Sequence, residues 1–166
     1  MPQSYSQTEE IHATPKQIHD WLENWDNIRA WMGPSLVSIE MLSEHPADAP
    51  MCVGMRFKET RQMGKMKAKA NIEVIEHGVD KNGVFRHCAF LDDGCNQMMC
   101  EYTYEPTEEG THASFLMYNA PNKWWTKAMC KITGSFMMKM CAKQLSDHLH
   151  QLKDLVENDQ SQTAQA

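Results

Sequence analysis

The stretch from Pro121 to about Glu157 constrains the fold most, because it is long, rich in helix-forming residues and without an internal stop. Proline at the first position of a helix loses no needed hydrogen bond, so Pro121 is a reasonable helix start. At about 100° per residue, the apolar side chains form two stripes on roughly opposite faces. One stripe contains Trp125, Met129, Ile132, Phe136 and Met140, and the other contains Met138, Cys141, Leu145, Leu149, Leu152 and Val156.

These two stripes leave three arrangements open. A helix that is apolar nearly all round is expected to be buried on more than one side. A bend at Gly134-Ser135 would instead turn both stripes toward one core. Two ordinary helices with separate core faces would also satisfy the pattern. We favour one long helix clasped by a sheet, with its first half also facing a ligand space or a covering loop.

Length and charge bound the class of protein. A chain of 166 residues is expected to form one domain. The net charge of -6 and the absence of a basic run predict no nucleic-acid partner. No apolar run approaches about 18 residues, so no membrane span is expected. The polar residues 1–10 do not resemble a signal peptide, and we therefore expect a cytoplasmic location.

Cysteine and histidine patterns predict neither disulfides nor a metal site. The six cysteines form no C-x-x-C pair and are expected to be reduced and buried. His148 and His150 would point about 200° apart on a helix, while His12 and His19 lie across a strand–helix junction. No H-x-x-x-H, H-E-x-x-H, P-loop or G-x-S-x-G pattern occurs. No metal and no cofactor are therefore expected.

Hydrophobic periods change in a fixed order along the chain. A first strand (4–12) precedes a helix opened by Thr14-Pro15, and a second helix (25–32) stops at Gly33-Pro34. Six strands on short loops follow, predicted at 36–41, 53–58, 65–74, 84–91, 96–105 and 111–119. Six consecutive strands of this kind predict an antiparallel meander. Strand one most simply pairs at the far edge, beside strand seven.

The fourth of these strands carries the clearest alternation. Its apolar face consists of Met66, Ala68, Ala70, Ile72 and Val74, opposite a face of Lys65, Lys67, Lys69, Asn71 and Glu73. The small residues Ala68 and Ala70 fall at the centre, where a sheet curled around a helix leaves most space. An unfilled void costs roughly 24 cal/mol per Å³, so a retained void indicates an occupant. Alternatively, Met129, Phe136 and Met137 fill the gap.

Five stretches then give the chain a family resemblance. They are Ile11-His12-Ala13-Thr14-Pro15 with Ile18 and Trp21; Trp25 to Trp31 before Gly33-Pro34; Val53-Gly54-Met55-Arg56-Phe57; Glu105-Pro106 through Glu109-Gly110-Thr111; and Leu145, Leu149, Leu152-Lys153 and Glu157. In this order the chain resembles the START-like (SRPBCC) superfamily of helix-grip proteins. These include the birch-pollen-allergen type, polyketide cyclase/dehydrase proteins and lipid-transport proteins. The resemblance covers about residues 3–157.

That resemblance implies an α+β helix-grip fold. A curved seven-stranded antiparallel sheet would surround a long C-terminal helix, with two short helices after strand one and an enclosed apolar cavity. Residues 1–157 would form a single ligand-binding domain, and residues 158–166 a mobile tail. The cavity of such proteins usually holds a lipid, a polyketide or a similar molecule, but the superfamily has no shared catalytic motif.

Candidate ligand-binding residues are the aromatic, thioether, small and polar side chains that would line such a cavity. They are Trp25, Trp31, Met55, Phe57, Met66, Ala68, Ala70, His87, Phe90, Met99, Glu101, Phe115, Met117, Met129, Phe136 and Met137. Each apolar member would serve equally well as an ordinary core residue. His87, Glu101, Tyr102, Tyr118 and Asn119 are candidates to orient a ligand, because buried polar groups need partners.

Three functions follow as hypotheses. The first is binding or transport of a small hydrophobic molecule of lipid, polyketide or aromatic type. The second is a cyclase or dehydratase, in which a polar group such as Glu101, with its pKa raised by an apolar cavity, acts as acid or base. The third is a protein-interaction module, in which Trp124-Trp125 presents an apolar surface, for example to a homodimer partner.

Overall fold

The structure is a computed structural model and describes residues 3–46, 48–63, 65–121, 123 and 147–161. The elements in chain order are β1 (Gln3–Ile11), α1 (Pro15–Leu22), α2 (Trp25–Met32), β2 (Leu36–Met41), β3 (Arg56–Met63), β4 (Met66–Val79), β5 (Phe85–Asp92), β6 (Asn96–Thr107) and β7 (Gly110–Pro121). A C-terminal helix, α3, occupies residues 147–161.

All seven strands form one antiparallel sheet in the order β1-β7-β6-β5-β4-β3-β2. Strands β2 to β7 are a meander, and β1 pairs with β7 from Gln3↔Asn119 to Ile11↔Thr111. The predicted architecture, including the return of β1 to the far edge, is therefore confirmed.

Capping residues set the starts of the two short helices. Thr14 accepts a hydrogen bond from the Gln17 backbone N–H, and the Gln17 side chain accepts one from the Thr14 backbone N–H, which completes a capping box before Pro15. Asn24 caps α2 in the same way by accepting from the backbone N–H of Asp26 at 2.9 Å. Both starts were predicted from the sequence.

Several predicted element boundaries were wrong. Strand β3 begins at Arg56 rather than at Val53, because a turn at Gly54, with φ of 84°, interrupts the extended chain. Pro121 ends β7 instead of starting a helix, and a proline is tolerated at a strand end. Helix α3 continues to residue 161, past the predicted end at Glu157.

Strand β4 extends to Val79 and contains a β-bulge. Val74 pairs with Ala89, but Glu76 pairs with Cys88 and His77 with His87. One extra residue, Ile75, is therefore accommodated opposite a single step of β5. The bulge returns His77 to the side of the sheet that carries Val74.

Gly110 is required where β7 starts. A side-chain carbon at this position would lie 2.2 Å from the carbonyl oxygen of Ile11, and the φ of 147° also disfavours other residues. The close approach seats the β6–β7 turn against the end of β1. It gives a physical reason for glycine in the Glu109-Gly110-Thr111 motif.

Helix α3 packs its apolar stripe into the core. Leu149, Leu152 and Val156 are fully buried, as the predicted stripe requires. Polar contacts fasten the same helix to its neighbours: the Trp31 indole N–H donates to the His148 carbonyl at 2.8 Å, and the His12 backbone N–H donates to Glu157 at 2.8 Å. Helix α3 thus joins α2 to the end of β1.

Some predictions concern residues outside the described part of the chain. They are the first half of the helical stretch with its bend at Gly134-Ser135, the stripe residues from Trp125 to Leu145, the candidate ligands Met129, Phe136 and Met137, and the surface residue Trp124. Among the described residues, no helix combines the length and the apolar character that crossing a membrane requires.

Candidate functional site

The side of the sheet that faces the helices, here called the inner face, is fixed by strand register. Phe85, Tyr104 and Ala113 are buried and stand opposite one another on β5, β6 and β7, and the buried Ala89 and Phe115 lie on the same face. Ring contacts tie this face to the helices: His19 of α1 lies 5.1 Å from Phe85, and Trp31 of α2 lies 5.6 Å from Tyr102, between ring centroids.

Most of the predicted ligand-binding residues that the structure describes belong to this face or to the helices and loop against it. Phe57, Ala70, His87, Phe115 and Met117 share the inner face by register. Trp25, Trp31 and Met55 are buried beside them. Several of these side chains are closed core residues, since Phe57, Phe115 and Met55 are at most 2% exposed.

Two predicted residues at the start of β4 lie on the correct side but are not covered. Met66 is 74% exposed and Ala68 is also exposed, whereas Ile72 and Val74 further along the strand are buried. Alternation identifies which side chains share a face, but it does not report how far the opposing layer extends along the strand. Neither residue lines an enclosed space.

Three further predicted residues lie on the outer face. Phe90 is paired with Met99, and Cys88 with Glu101, one step out of phase with the inner pair Ala89 and Cys100. The Cys88 thiol lies 3.3 Å from the Met99 sulfur, which places both on the same side. Polar and apolar residues mix on both faces of β5 and β6, so hydrophobicity alone did not separate them. The proposed acid Glu101 and the exposed Tyr118 therefore do not face the interior.

A charged network occupies one part of the inner face. Glu59 is buried, with only 7% of its surface exposed, and forms an ion pair with Arg61. The Arg61 guanidinium also lies 3.4 Å from the His148 imidazole. Burial, reinforced by the Arg61 charge, lowers the pKa of His148 to about 4. His148 is thus neutral at pH 7 and accepts from the guanidinium. Sequence analysis missed this network because its members come from β3 and α3.

The middle of the inner face carries neutral polar groups. Burial lowers the pKa of His87 to about 3, raises that of Cys100 to about 12 and raises that of Tyr102 well above its ordinary range. All three residues are nevertheless only partly buried. Close by, the Tyr104 hydroxyl and the Asn119 side-chain oxygen are buried without a hydrogen-bond partner.

A second polar cluster joins α1 to the sheet. The Nε2 atoms of His19 and His77 each lie 3.3 Å from Oε1 of Glu23. His77 also approaches His87, with 3.1 Å between their Nδ1 atoms. The sequence search for metal ligands used local spacings and did not find this group, because His77 is distant in sequence and turns inward only through the β4 bulge.

Comparisons with known proteins support the fold but no particular activity. No family model and no curated protein matches the chain. A protein of unknown function from Staphylococcus aureus is similar in structure, with a TM-score of 0.71, 9% identity and 97% of each chain covered. A Chromobacterium violaceum protein gives a TM-score of 0.64 at 19% identity, with 94% of this chain and 99% of that one covered.

Two similar structures carry informative names. Norcoclaurine synthase from Thalictrum, solved with a transition-state analogue, has a TM-score of 0.65 at 13% identity over 96% of this chain and 97% of its own. Ara h 8.0201 has a TM-score of 0.60 at 9% identity, with 95% and 99% covered. The chain therefore has the START-like helix-grip fold of the birch-pollen-allergen type, as the sequence resemblance predicted.

Proposed function

We propose that this protein binds a small, uncharged and largely apolar molecule between the inner face and the helices. The observation that carries the proposal is the combination found at His87, Cys100 and Tyr102. Protein surrounds these side chains closely enough to shift their pKa values strongly, yet each of the three residues is only partly buried. Groups that are desolvated but still accessible are expected at the wall of an internal space.

The ionisation of this wall selects the class of ligand. At pH 7 all three side chains are uncharged: burial lowers the pKa of His87 to about 3, and it raises the pKa values of the Cys100 thiol and the Tyr102 hydroxyl, which already lie above 7, still further. The charges of Glu59 and Arg61 neutralise each other in an ion pair. A charged ligand would therefore lose its hydration without gaining a free countercharge among these groups. An aromatic, polyketide or lipid-like molecule with a few hydrogen-bonding groups therefore fits best.

Filling the space should weaken binding. Cys100→Phe adds a ring on the inner face, whereas Met99→Phe places the same ring on the adjacent outer position and serves as the matched control. Titration with the neutral dye Nile red, followed by fluorescence, should give at least about tenfold weaker binding for Cys100→Phe, equivalent to about 1.4 kcal/mol. Binding by Met99→Phe should match that of the unchanged protein.

Circular dichroism and thermal melting of both variants separate blocked binding from misfolding. Native mass spectrometry of the unchanged protein should also detect a co-purified molecule that Cys100→Phe lacks. Equal dye affinity in the two folded variants would contradict the proposal, as would an unchanged protein that binds neither dye nor any co-purified molecule.

A second candidate is catalysis in the same space, and one observation favours it. His87 and Tyr102 both face inward, with ring centroids 5.9 Å apart, and could act as a pair on a bound substrate. A pKa of about 3, however, makes His87 a weak base at neutral pH, since an effective general base has a pKa near the working pH. Binding is therefore the better-supported function, and conversion of a bound molecule that Tyr102→Phe abolishes would favour the enzyme.

A further inference from the structure

A histidine–carboxylate–histidine group bridges α1 and β4 beside the inner face. His19 and Glu23 lie one turn apart at the end of α1, and His77 projects from β4 after its bulge. One ligand atom from each residue lies within 4.8 Å of the other two. We propose that His19, Glu23 and His77 form a binding site for a divalent transition-metal ion of the zinc type.

The distances suit one ion held at the centre of the group. Glu23 Oε1 lies 3.3 Å from Nε2 of His19 and 3.3 Å from Nε2 of His77. Ligand atoms that are each about 2.0–2.1 Å from a tetrahedral zinc ion lie about 3.3–3.4 Å from one another. Two of the three distances between ligand atoms therefore match the edge of a zinc tetrahedron, and all three lie within 4.8 Å.

Outer partners orient both imidazoles for coordination through Nε2. Nδ1 of His19 lies 3.2 Å from a carboxylate oxygen of Asp20. Nδ1 of His77 lies 3.1 Å from Nδ1 of His87. Metal-bound histidines almost always have the second ring nitrogen hydrogen-bonded in this manner, since the contact fixes the tautomer and the ring orientation.

The convergence of the group on one point favours a cation. Both imidazoles turn Nε2 toward the same carboxylate oxygen of Glu23, each at 3.3 Å. An ion at this point would be contacted by one ligand atom from each of the three residues. The C-terminal end of α1, which carries the negative end of the helix dipole, also favours positive charge here.

Exposure provides an entry path and a free coordination position. The side chain of His77 is 3% exposed, whereas those of His19 and Glu23 are 22% and 30% exposed. Three protein ligands from one side leave the fourth position of a tetrahedral ion for water or another molecule, as in catalytic zinc sites. Two imidazoles and one carboxylate suit zinc and its neighbours in the first transition row better than calcium or magnesium.

Metal titration of the chelator-stripped full chain tests the site. Isothermal titration calorimetry with Zn²⁺ should give one ion per chain, and Co²⁺ should produce the visible absorption bands of a tetrahedral site with nitrogen ligands. Glu23→Gln preserves size at a partly exposed position, so folding should survive. Its zinc affinity should fall by at least about 100-fold, because loss of a direct ligand exceeds the 10- to 100-fold cost of an outer partner.

Two further variants make the result specific. Asp20→Asn should weaken zinc binding by about 10- to 100-fold by loosening His19. His150→Gln removes another histidine that lies near two carboxylates, Glu9 and Asp154, each at 3.9 Å, and should leave binding unchanged.

A proton on His77 Nε2, donated to Glu23, is the competing explanation of the cluster. In that case the stripped chain takes up no stoichiometric zinc, and the proposal is overturned. Stoichiometric binding that Glu23→Gln leaves intact overturns it equally, because the ion would then lie elsewhere. These experiments do not depend on the proposed apolar ligand, since they measure the binding of zinc alone.

Discussion

At the scale of single residues, burial decides the ionisation of the inner face. His148 illustrates this, because the helix that carries it brings the imidazole against Arg61 in a desolvated position. Its pKa of about 4 lies below the ordinary value of 6.5. A sequence cannot reveal such a shift, since it comes first from burial in the folded chain and then from Arg61, which is 87 positions away.

The shifted pKa of His148 predicts how stability depends on pH. Between about pH 6.5 and pH 4 the His148 imidazole is protonated in the unfolded chain but neutral in the folded chain. The free energy of unfolding therefore falls as pH decreases through this window. The slope contributed by one proton is at most about 1.4 kcal/mol per pH unit. Urea unfolding of His148→Gln from pH 7 to 4.5 should give a shallower decline than that of the unchanged protein.

His87 acts in the same direction, because its pKa is lowered to about 3. The residual slope of His148→Gln is therefore assigned partly to His87. His150→Gln, at a position whose side chain is 65% exposed, is the control and should reproduce the unchanged slope. If the free energy of unfolding changed with pH to the same extent in all three proteins, His148 would be protonated equally in the folded and unfolded chains.

At the scale of elements, local sequence signals predicted starts and turns better than they predicted face assignments. The Thr14-Pro15 signal placed α1 correctly because a capping box is a local interaction. The outer location of Phe90, Met99 and Glu101 depends on pairing across β5 and β6, which alternation of mixed residues does not determine. His77 escaped notice because a bulge reverses the expected side.

The capping box of α1 can be tested by a double-mutant cycle. Thr14→Ala removes the acceptor for the Gln17 backbone N–H and should lower the free energy of unfolding by about 1 kcal/mol. Gln17→Ala removes the reciprocal hydrogen bond to the Thr14 backbone N–H, which measures 2.8 Å. In urea unfolding, the double variant should lose less free energy of unfolding than the two single variants lose together, because the two hydrogen bonds belong to one unit. Strictly additive costs would argue against reciprocal capping.

At the scale of the whole molecule, the order of strands and helices was sufficient to predict the fold. The seven-stranded sheet and the placement of β1 beside β7 follow from that order. The two polar clusters did not follow, since each combines residues from a helix and distant strands. Some of the predicted ligand-binding residues share the inner face by register, and their role in binding stays a prediction.

The buried stripe of α3 should stabilise the complete domain. Leu152 is 0% exposed, and Leu152→Ala should lower the free energy of unfolding by about 2–5 kcal/mol. Circular dichroism and tryptophan fluorescence should report the same unfolding transition, because α3 contacts both α2 and β1. Asp154→Ala on the exposed side of α3 should stay within about 0.5 kcal/mol of the unchanged protein. Two separate transitions would indicate that α3 folds apart from the sheet.

The pairing of β1 with β7 has a kinetic consequence during synthesis. β1 ends at Ile11, but β7 begins only at Gly110. The first strand to be synthesised therefore has no partner strand until the last one has been made. At about 5–20 residues per second, the ribosome needs roughly 5–20 s to supply the partner. Ser4, Ser6, Thr8 and Glu10 project from the outer side of β1. Because these side chains are polar, the nascent strand is less prone to aggregate with other chains during that delay.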